Sequence, residues 1–182
     1  MLVILIGKQL SGKTSVAGEL VNRGYEPVLE YTTRPKRENE TDGVQYHFVS
    51  EDEYKKLDLA SDVTFPMTDG VRHWGIAKAD LQTSGNRVLV TNPKTLKRLW
   101  QLNECKKDCR IVCLYVPQTV RLKRWRARGD KETEFYRRKA ADNADFRDAF
   151  YHHKVENTGS VSETADEIQE LLNGPEPELK MY

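Results

Sequence analysis

Short apolar runs alternate with amphipathic segments along most of the chain, a pattern that predicts an α/β fold with a mainly parallel sheet. Residues 2–6 (LVILI) form an unbroken apolar run, which is typical of a strand covered on both faces. The other strands are predicted at residues 27–31, 44–49, 87–91 and 110–116.

Segments with helical periodicity lie between these strands. The predicted helices span residues 14–23, 51–58, 78–84, 93–103, 117–128 and 132–149. Ser160 and Glu163 resemble a capping box, which predicts a last helix that ends near residues 173–174. The tail at 175–182 is expected to be frayed. The sequence shows no internal repeat and no low-complexity linker, so its 182 residues predict a single domain.

The segment 7–14 reads GKQLSGKT and matches the phosphate-binding pattern G-x-x-x-x-G-K-[ST]. Its glycines let backbone amides turn towards an anion, and the following helix directs its positive end at the same place. The pattern lies between a predicted strand and a predicted helix, the context that it requires. Lys13 is therefore expected to reach the β- and γ-phosphates of a nucleoside triphosphate, and Thr14 to offer its hydroxyl to Mg²⁺. The predicted phosphate-binding residues are Gly7, Ser11, Gly12, Lys13, Thr14 and Ser15.

Composition and charge narrow the kind of partner. Hydrophobic residues are 38% and charged residues 31%, as in a soluble folded domain, and no apolar run approaches the ~20 residues of a membrane span. The opening residues 1–7 lack the features of a signal peptide, so a cytoplasmic protein is expected.

The net charge of +1 disfavours nucleic-acid binding by bulk electrostatics. However, nine Lys and Arg against three acids at 121–139 predict a local anionic ligand.

The stretch 31–50 carries Arg34, Arg37 and Tyr46 around a turn. Two guanidiniums and a phenol would suit a second phosphate site, because guanidiniums bind phosphate bidentately; composition alone leaves solvated surface arginines as the alternative. The stretch closely resembles the TTR-x-P-R-x-G-E-x-x-G-x-x-Y-x-F-V signature of guanylate kinases and similar nucleoside monophosphate kinases. The resemblance implies that these three residues hold the phosphate of the acceptor nucleotide.

The resemblance extends to the basic segment. Residues 122–129 (LKRWRARG), followed by Arg138, resemble the lid of that family, whose arginines close over the transferring phosphoryl group. Arg124, Arg128 and Arg138 match these catalytic arginines, with Arg137 as a neighbour that could substitute; an exposed amphipathic helix is the alternative. Residues 153–158 (HKVENT) resemble the last strand of the family, which implies that Asn157 lies near the adenine of ATP.

The acceptor segment departs from the family pattern where the base is read. Glu30 replaces a serine that helps to read guanine. Its carboxylate can accept from guanine N1–H and N2–H₂ or from an exocyclic amine of another base, and a strand-end residue without a ligand role is the alternative. Trp74 and Gly75 keep the family's aromatic–glycine pair, but the guanine-reading glutamate has no clear counterpart. Asp69 is a candidate to compensate for it.

The second departure concerns the metal. Val90 and Asn92 replace two strand-end acids, so neither can supply a carboxylate to organise Mg²⁺ hydration or to contact the base. Asn92 can both donate and accept, and it is a candidate to read a base edge.

The motifs and the resemblance together imply a three-layer P-loop NTPase fold with a parallel core sheet. The expected parts are a core (1–31, 81–123 and 140–175), an acceptor-binding lobe (32–80), a lid (124–139) and a tail (175–182). The expected reaction moves the γ-phosphoryl of ATP, with Mg²⁺, to (d)GMP or a related (d)NMP, giving ADP and a (d)NDP. The acceptor is already an anion, so alignment and charge neutralisation would suffice without a strong general base. The expected partners are ATP and the acceptor, without stable nucleic-acid or membrane binding, and a homodimer is left open.

Three alternatives stay open. The chain could be a (d)NMP kinase for a non-guanine or modified base, a catalytically silent guanylate-kinase-like module that binds a phosphopeptide, or a P-loop NTPase switch. The intact G-K-T disfavours the silent module, because such a module has no need of Lys13 and Thr14. Cys105, Cys109 and Cys113 are odd in number and lack zinc-site spacing, which disfavours a disulfide framework and a metal site.

Overall fold

The computed structural model describes residues 1–67, 70–82, 85–101, 108–129, 131–175 and 177–182. In chain order, the strands within these ranges are β1 (Leu2–Ile6), β2 (Glu26–Val28), β3 (Tyr31–Thr32), β4 (His47–Phe48), β5 (Leu59–Met67), β6 (Gly70–Ala77), β7 (Arg87–Val90), β8 (Cys109–Tyr115), β9 (Phe150–Tyr151), β10 (His153–Glu156) and β11 (Lys180–Met181). The helices are α1 (Lys13–Asn22), α2 (Glu51–Tyr54), α3 (Lys78–Leu81), α4 (Pro93–Gln101), α5 (Gln118–Ala127), α6 (Glu132–Asp145) and α7 (Val161–Leu172).

The central sheet is five-stranded in the order β10-β8-β1-β7-β2, and all its strand pairs are parallel. All five residues of β1 are buried, because helices cover both faces of the sheet. Val3 and Leu5 pack on the side of α1 and α7, whereas Ile4 and Ile6 pack on the side of α4. The predicted three-layer α/β P-loop NTPase architecture is therefore confirmed.

A second sheet of four strands, in the order β4-β3-β6-β5, stands beside the core. Its largest part is the antiparallel hairpin of β5 and β6, whose register shifts between Leu59 and Ser61. The sequence analysis predicts neither strand of this hairpin. β5 also packs against α4 of the core, so the second sheet is attached to the end of the central sheet where β7 leads into α4.

Most predicted elements agree with the structure, with differences at their ends. The helix predicted at 51–58 is only the four residues of α2, and the strand predicted at 44–49 is only β4. The capping box of Ser160 and Glu163 is present at the start of α7. The expectation of a frayed tail is wrong for Lys180 and Met181, which pair with β9. Within the described ranges, no helix is long and apolar enough to cross a bilayer.

Candidate functional site

The loop at residues 7–14 connects β1 to α1 and depends on two glycines. Gly12 has φ +87°, and a Cβ atom there would lie 2.3 Å from Asn157 Nδ2. A Cβ atom on Gly7 would lie 2.4 Å from Ser11 Oγ and 2.7 Å from Leu114 O. Any side chain at either position would therefore force the loop apart. The pattern predicted from the sequence thus has the local backbone of a P-loop between a strand and a helix.

Lys13 begins α1 and folds back over the loop, where its Nζ donates to Gly7 O at 2.7 Å. Burial lowers the pKa of the Lys13 ammonium to about 8, while the charge of Asp142 acts in the opposite direction. Ser11 Oγ is buried without a hydrogen-bond partner among the described residues. Thr14 and Ser15 are exposed in the first turn of α1. These residues present an ammonium, hydroxyls and a helix N-terminus to one place, as an anion site requires.

Arg124 and Asn157 contact the P-loop and each other. Arg124 Nη1 donates to Leu10 O at 3.0 Å, and its Nη2 donates to Asn157 O at 2.8 Å. The Asn157 side chain is buried, donates to Ser11 O at 2.7 Å and accepts from Thr164 Oγ1 at 3.0 Å. In this structure both residues bind the loop backbone; their predicted contacts with phosphate and adenine stay predictions.

An open cleft of about 490 Å³ lies between the P-loop, the acceptor segment and the α5–α6 region. It is lined by Gln9, Arg37, Trp125, Arg128, Lys131, Glu134 and Arg138. All three arginines in this lining were predicted as site residues: Arg128 and Arg138 for the lid, and Arg37 for the acceptor phosphate. The fold brings them together from distant parts of the sequence. The cleft is therefore rich in guanidiniums beside the P-loop, a charge pattern that favours phosphate groups.

Glu134 is the acid of this cleft. Hydrogen bonds from Arg137 and Arg138 lower the pKa of Glu134 to about 2, so it is ionised at neutral pH. Arg138 Nε donates to Glu134 Oε1 at 2.7 Å, and its guanidinium lies 5.8 Å from the Trp125 ring centroid. An incoming phosphate oxygen can therefore replace one carboxylate oxygen of an existing ion pair.

Arg34 is buried and forms a bidentate pair with Glu40, with both N···O distances at 2.9 Å. Its Nη1 also donates to Pro35 O, so as far as the described residues go two of the five N–H groups of the guanidinium are left for a ligand. Glu40 Oε2 also accepts from the backbone N of Arg37 at 2.8 Å. The same ion pair thus orders the turn that carries the second arginine.

Tyr46 packs under this arginine, with the Arg34 guanidinium 5.5 Å from its ring centroid. Burial, followed by the charge of Glu30, raises the pKa of Tyr46 to about 12. Its phenol therefore remains protonated and able to donate to an anion at neutral pH. The three predicted acceptor-phosphate residues thus form one cluster with Glu40.

Glu30 is 5% exposed, and its Oε1 accepts from Thr91 Oγ1 at 2.6 Å. Burial raises the pKa of Glu30 to about 7, although the Thr91 hydrogen bond acts against that shift. Among the described residues, Thr91 is the only hydrogen-bond partner of this carboxyl group. A buried carboxyl group with one oxygen unengaged is a candidate for ligand recognition.

The remaining acceptor candidates are placed differently. Asn92 Oδ1 accepts from the backbone N of Lys94 at 2.9 Å and of Thr95 at 3.0 Å, so its side chain caps α4. Trp74 lies on β6 with its ring edge against Phe65 at a centroid distance of 5.2 Å. Asp69 lies outside the described residues, as does Cys105, and Cys109 and Cys113 are buried in β8.

The comparisons with known proteins point in one direction. The family model "Guanylate kinase" matches residues 1–63. The guanylate kinase of Alkalilimnicola ehrlichii is 30% identical over 138 residues, which cover 72% of this chain and 67% of that protein. The chain belongs to the guanylate kinase family. Members of this family are ATP-dependent phosphotransferases that act on nucleoside monophosphates.

Other relatives add identity over shorter stretches. The guanylate kinase of Sulfurimonas denitrificans is 46% identical, but the match covers 30% of this chain and 28% of that protein. The crystal structure of guanylate kinase from Anaplasma phagocytophilum superposes with a TM-score of 0.65 at 19% identity, over 94% of this chain and 84% of the other. That superposition supports the fold, because sequence identity at this level does not carry individual site residues.

Four residues of the guanylate kinase cleft were missed from the sequence: Gln9, Trp125, Lys131 and Glu134. Gln9 occupies a variable position of the P-loop pattern, and Lys131 is one of many cations in a basic run. Glu134 could have been found, since it precedes Arg137 and Arg138 by three and four residues on a predicted helix, the spacing of ion pairs. Trp125 carried no such signal.

Proposed function

We propose that this protein transfers the γ-phosphoryl group of ATP to the phosphate of GMP, giving ADP and GDP. The observation that carries the proposal is the cleft in which Arg37 of the acceptor segment meets Arg128 and Arg138 beside the P-loop. A donor phosphate on the P-loop and an acceptor phosphate on Arg37 would both face this cleft. Two anions in one cationic cleft fit phosphoryl transfer better than simple hydrolysis.

The chemistry asked of the protein is alignment and charge neutralisation. Lys13 would bind the donor phosphates, and Arg128 and Arg138 would stabilise the charge on the phosphoryl group in transit. Because Arg138 is already oriented by Glu134, it needs little reorganisation before it meets a phosphate. Closure of the lid would exclude water, which otherwise competes as an acceptor.

The acceptor phosphate is proposed to bind Arg34, Arg37 and Tyr46. The remaining N–H groups of Arg34 can bind phosphate while Glu40 still fixes its position. Burial raises the pKa of Tyr46 to about 12, which keeps the phenol as a donor. Glu40 also binds the Arg37 backbone, so the two arginines are ordered as one unit.

Glu30 is proposed to read the base of the acceptor. Guanine presents N1–H and N2–H₂ as neighbouring donors, and the unengaged oxygen of Glu30 is an acceptor. Ser61 of β5 adds a buried hydroxyl that has no partner among the described residues. Trp74, Asn92 and Asp69 remain candidates from the sequence, and in the structure the Asn92 side chain caps α4.

Mg²⁺ is proposed to accompany ATP, and the exposed Thr14 hydroxyl at the first turn of α1 suits it. Mg²⁺ usually keeps several waters and binds through substrate phosphates with few protein ligands, so one hydroxyl fits this use. When bound, the ion neutralises phosphate charge. We further propose a cytoplasmic protein with the core, lobe and lid divided as in the sequence analysis, whose partners are ATP and GMP rather than nucleic acid or a membrane.

The test is ADP release from ATP and Mg²⁺ against a panel of NMPs and dNMPs at millimolar concentration. We expect turnover with GMP, and with dGMP if the site ignores the 2′-hydroxyl. Turnover with another base alone would overturn the guanine assignment. Silence across the panel with ATP still bound would favour the binding module, and hydrolysis of ATP without any acceptor would favour a switch.

A further inference from the structure

The P-loop is held by side chains from three later parts of the chain: α5, α6 and the residue after β10. Four consecutive loop residues are involved. Lys8 Nζ donates to Asn143, Gln9 N donates to Asp142, Leu10 O accepts from Arg124, and Ser11 O accepts from Asn157. The loop is therefore held by side-chain contacts along its whole variable part.

Asp142 of α6 occupies the centre of these contacts. Its Oδ2 accepts from Gln9 N at 2.9 Å and from Arg121 Nη1 at 3.3 Å. Arg121 Nη1 in turn donates to Gln9 O at 3.4 Å. Both backbone polar groups of Gln9 are thus engaged by one partly buried ion pair, in which the side chain of Arg121 is 6% exposed and that of Asp142 is 22% exposed.

The loop has a physical need for this support. Leu10 follows Gln9 and has φ +63°, a left-handed conformation that is unfavourable for a residue with a branched side chain. Such a conformation persists only where the surroundings over-determine it. The Leu10 side chain packs with Trp125 and Phe135 of the lid helices, which fixes one side of the turn. Asp142 and Arg121 fix the peptide groups before it.

A carboxylate beside a triphosphate site is electrostatically unfavourable, because it repels the ligand. If Asp142 assists ATP binding, a favourable effect must therefore outweigh this repulsion. The pairing with Arg121 removes much of its charge from the site, and its Oδ2 is directed at the loop backbone. The remaining effect is geometric: Asp142 holds the Gln9 N–H, and the Ser11 N–H donates to Lys8 O at 3.1 Å, so the turn of the loop between these residues is fixed.

We propose that Asp142 is a positioning residue for ATP, which acts through the Gln9 N–H to hold the P-loop in its phosphate-binding conformation. The inference rests on the proposed function only in taking ATP as the ligand of the P-loop. The proposal gives α6 a second contribution to the site, because Glu134 and Arg138 in its N-terminal half already line the cleft. It also predicts that loss of Asp142 affects the donor nucleotide and spares the acceptor.

The experiment compares Asp142→Ala and Asp142→Asn with Asp145→Asn as a matched control. Asp145 lies on the same helix with a similar exposed fraction, but it pairs with Lys94 and not with the P-loop. The affinity for ATP is measured by calorimetry without acceptor, and KM for GMP by turnover. Thermal unfolding reports whether each variant is folded.

We expect Asp142→Ala to weaken ATP binding by about tenfold or more and to change KM for GMP by less than about twofold. Asp142→Asn keeps an oxygen acceptor for Gln9 N–H, so it should bind ATP within about threefold of the original protein. Asp145→Asn should leave both values unchanged. The asparagine variant keeps the test informative if the alanine variant does not fold.

The proposal would be overturned by an Asp142→Asn variant that binds ATP as poorly as Asp142→Ala, or by equal losses for ATP and GMP. Unaltered ATP affinity in a folded Asp142→Ala variant would do the same. The proposed function fails separately, if the original protein binds ATP but does not phosphorylate GMP. An original protein that does not bind ATP would overturn both.

Discussion

The donor and acceptor sites of this protein are built in different ways. The P-loop is one continuous segment, residues 7–14, whose ligand groups are mainly backbone amides and one lysine. The proposed acceptor site would be assembled from side chains on separate segments, such as Glu30 and Arg37. A site made of backbone groups tolerates little change in its pattern, whereas a site made of side chains can change its base recognition residue by residue. This difference fits the departure from the family pattern at Glu30, which lies on the proposed acceptor side.

The largest effect should come from the donor side. Lys13→Ala removes the ammonium that binds the donor phosphates, so kcat should fall by about a thousandfold while the fold persists. The measurement is ADP release with saturating GMP, together with thermal unfolding. Lys8→Ala is the matched control from the same loop, and it should retain turnover within about tenfold because its Nζ contacts Asn143, Phe146 and Tyr182 rather than the loop carbonyl that Lys13 binds. Near-normal turnover of Lys13→Ala would reject the P-loop assignment.

The next largest effect is expected on the acceptor side, where the binding of GMP should weaken and that of ATP should not. Arg37→Ala should raise KM for GMP by about a hundredfold and leave the affinity for ATP nearly unchanged, because a bidentate contact to phosphate is lost. Arg126→Ala is the control, since Arg126 is an exposed arginine that pairs with Glu132 outside the cleft lining. If Arg37→Ala weakens ATP and GMP equally, the comparison between two separate phosphate sites fails.

Glu30 gives a smaller effect that depends on pH. Burial raises the pKa of Glu30 to about 7, and only the ionised carboxylate accepts from both guanine donors. KM for GMP should therefore fall as pH rises through about 7. Glu30→Gln should raise KM by about tenfold at pH 8 and remove this part of the pH dependence.

The phosphate of GMP also titrates in this pH range, because its second pKa is about 6. For that reason the informative quantity is the ratio of the KM values of Glu30→Gln and the original protein at each pH. Glu26→Gln, at an exposed position of β2, is the control. A ratio that does not change between pH 6 and pH 8 would mean that Glu30 is a structural residue.

The contrast between a site on one continuous segment and a site assembled from separate segments also applies to what the sequence can predict. The P-loop, the capping box of α7 and the buried strands could be predicted because each depends on residues close together in the chain. The β5–β6 hairpin was missed, since its strands are defined by pairing and by contact with α4 rather than by a local pattern. The contact between Asp142 and Gln9 spans 133 residues, and no spacing rule reports it.

Asn92 shows that one polar side chain can fit two interpretations. Its position after β7 and its amide suggested base recognition, yet the same amide is an N-cap residue for α4 because Pro93 starts the helix immediately after it. Both uses require a polar side chain at the end of a strand, so the sequence does not separate them. In the structure the Asn92 side chain accepts from the backbone of Lys94 and Thr95, and its contact with a base stays a prediction.

The smallest effect is the one that tests this capping role. Asn92→Ala should lower the free energy of unfolding by about 1 kcal/mol, which corresponds to a fall in Tm of about 2–4 °C, because two backbone N–H groups of α4 lose their acceptor. Asn92→Asp restores a capping oxygen and should recover the Tm. Neither variant should change KM for GMP by more than about twofold if the side chain only caps the helix. A KM that rises with the alanine variant while Tm stays constant would instead place Asn92 at the base and make the acceptor site larger than the Glu30 and Arg37 region.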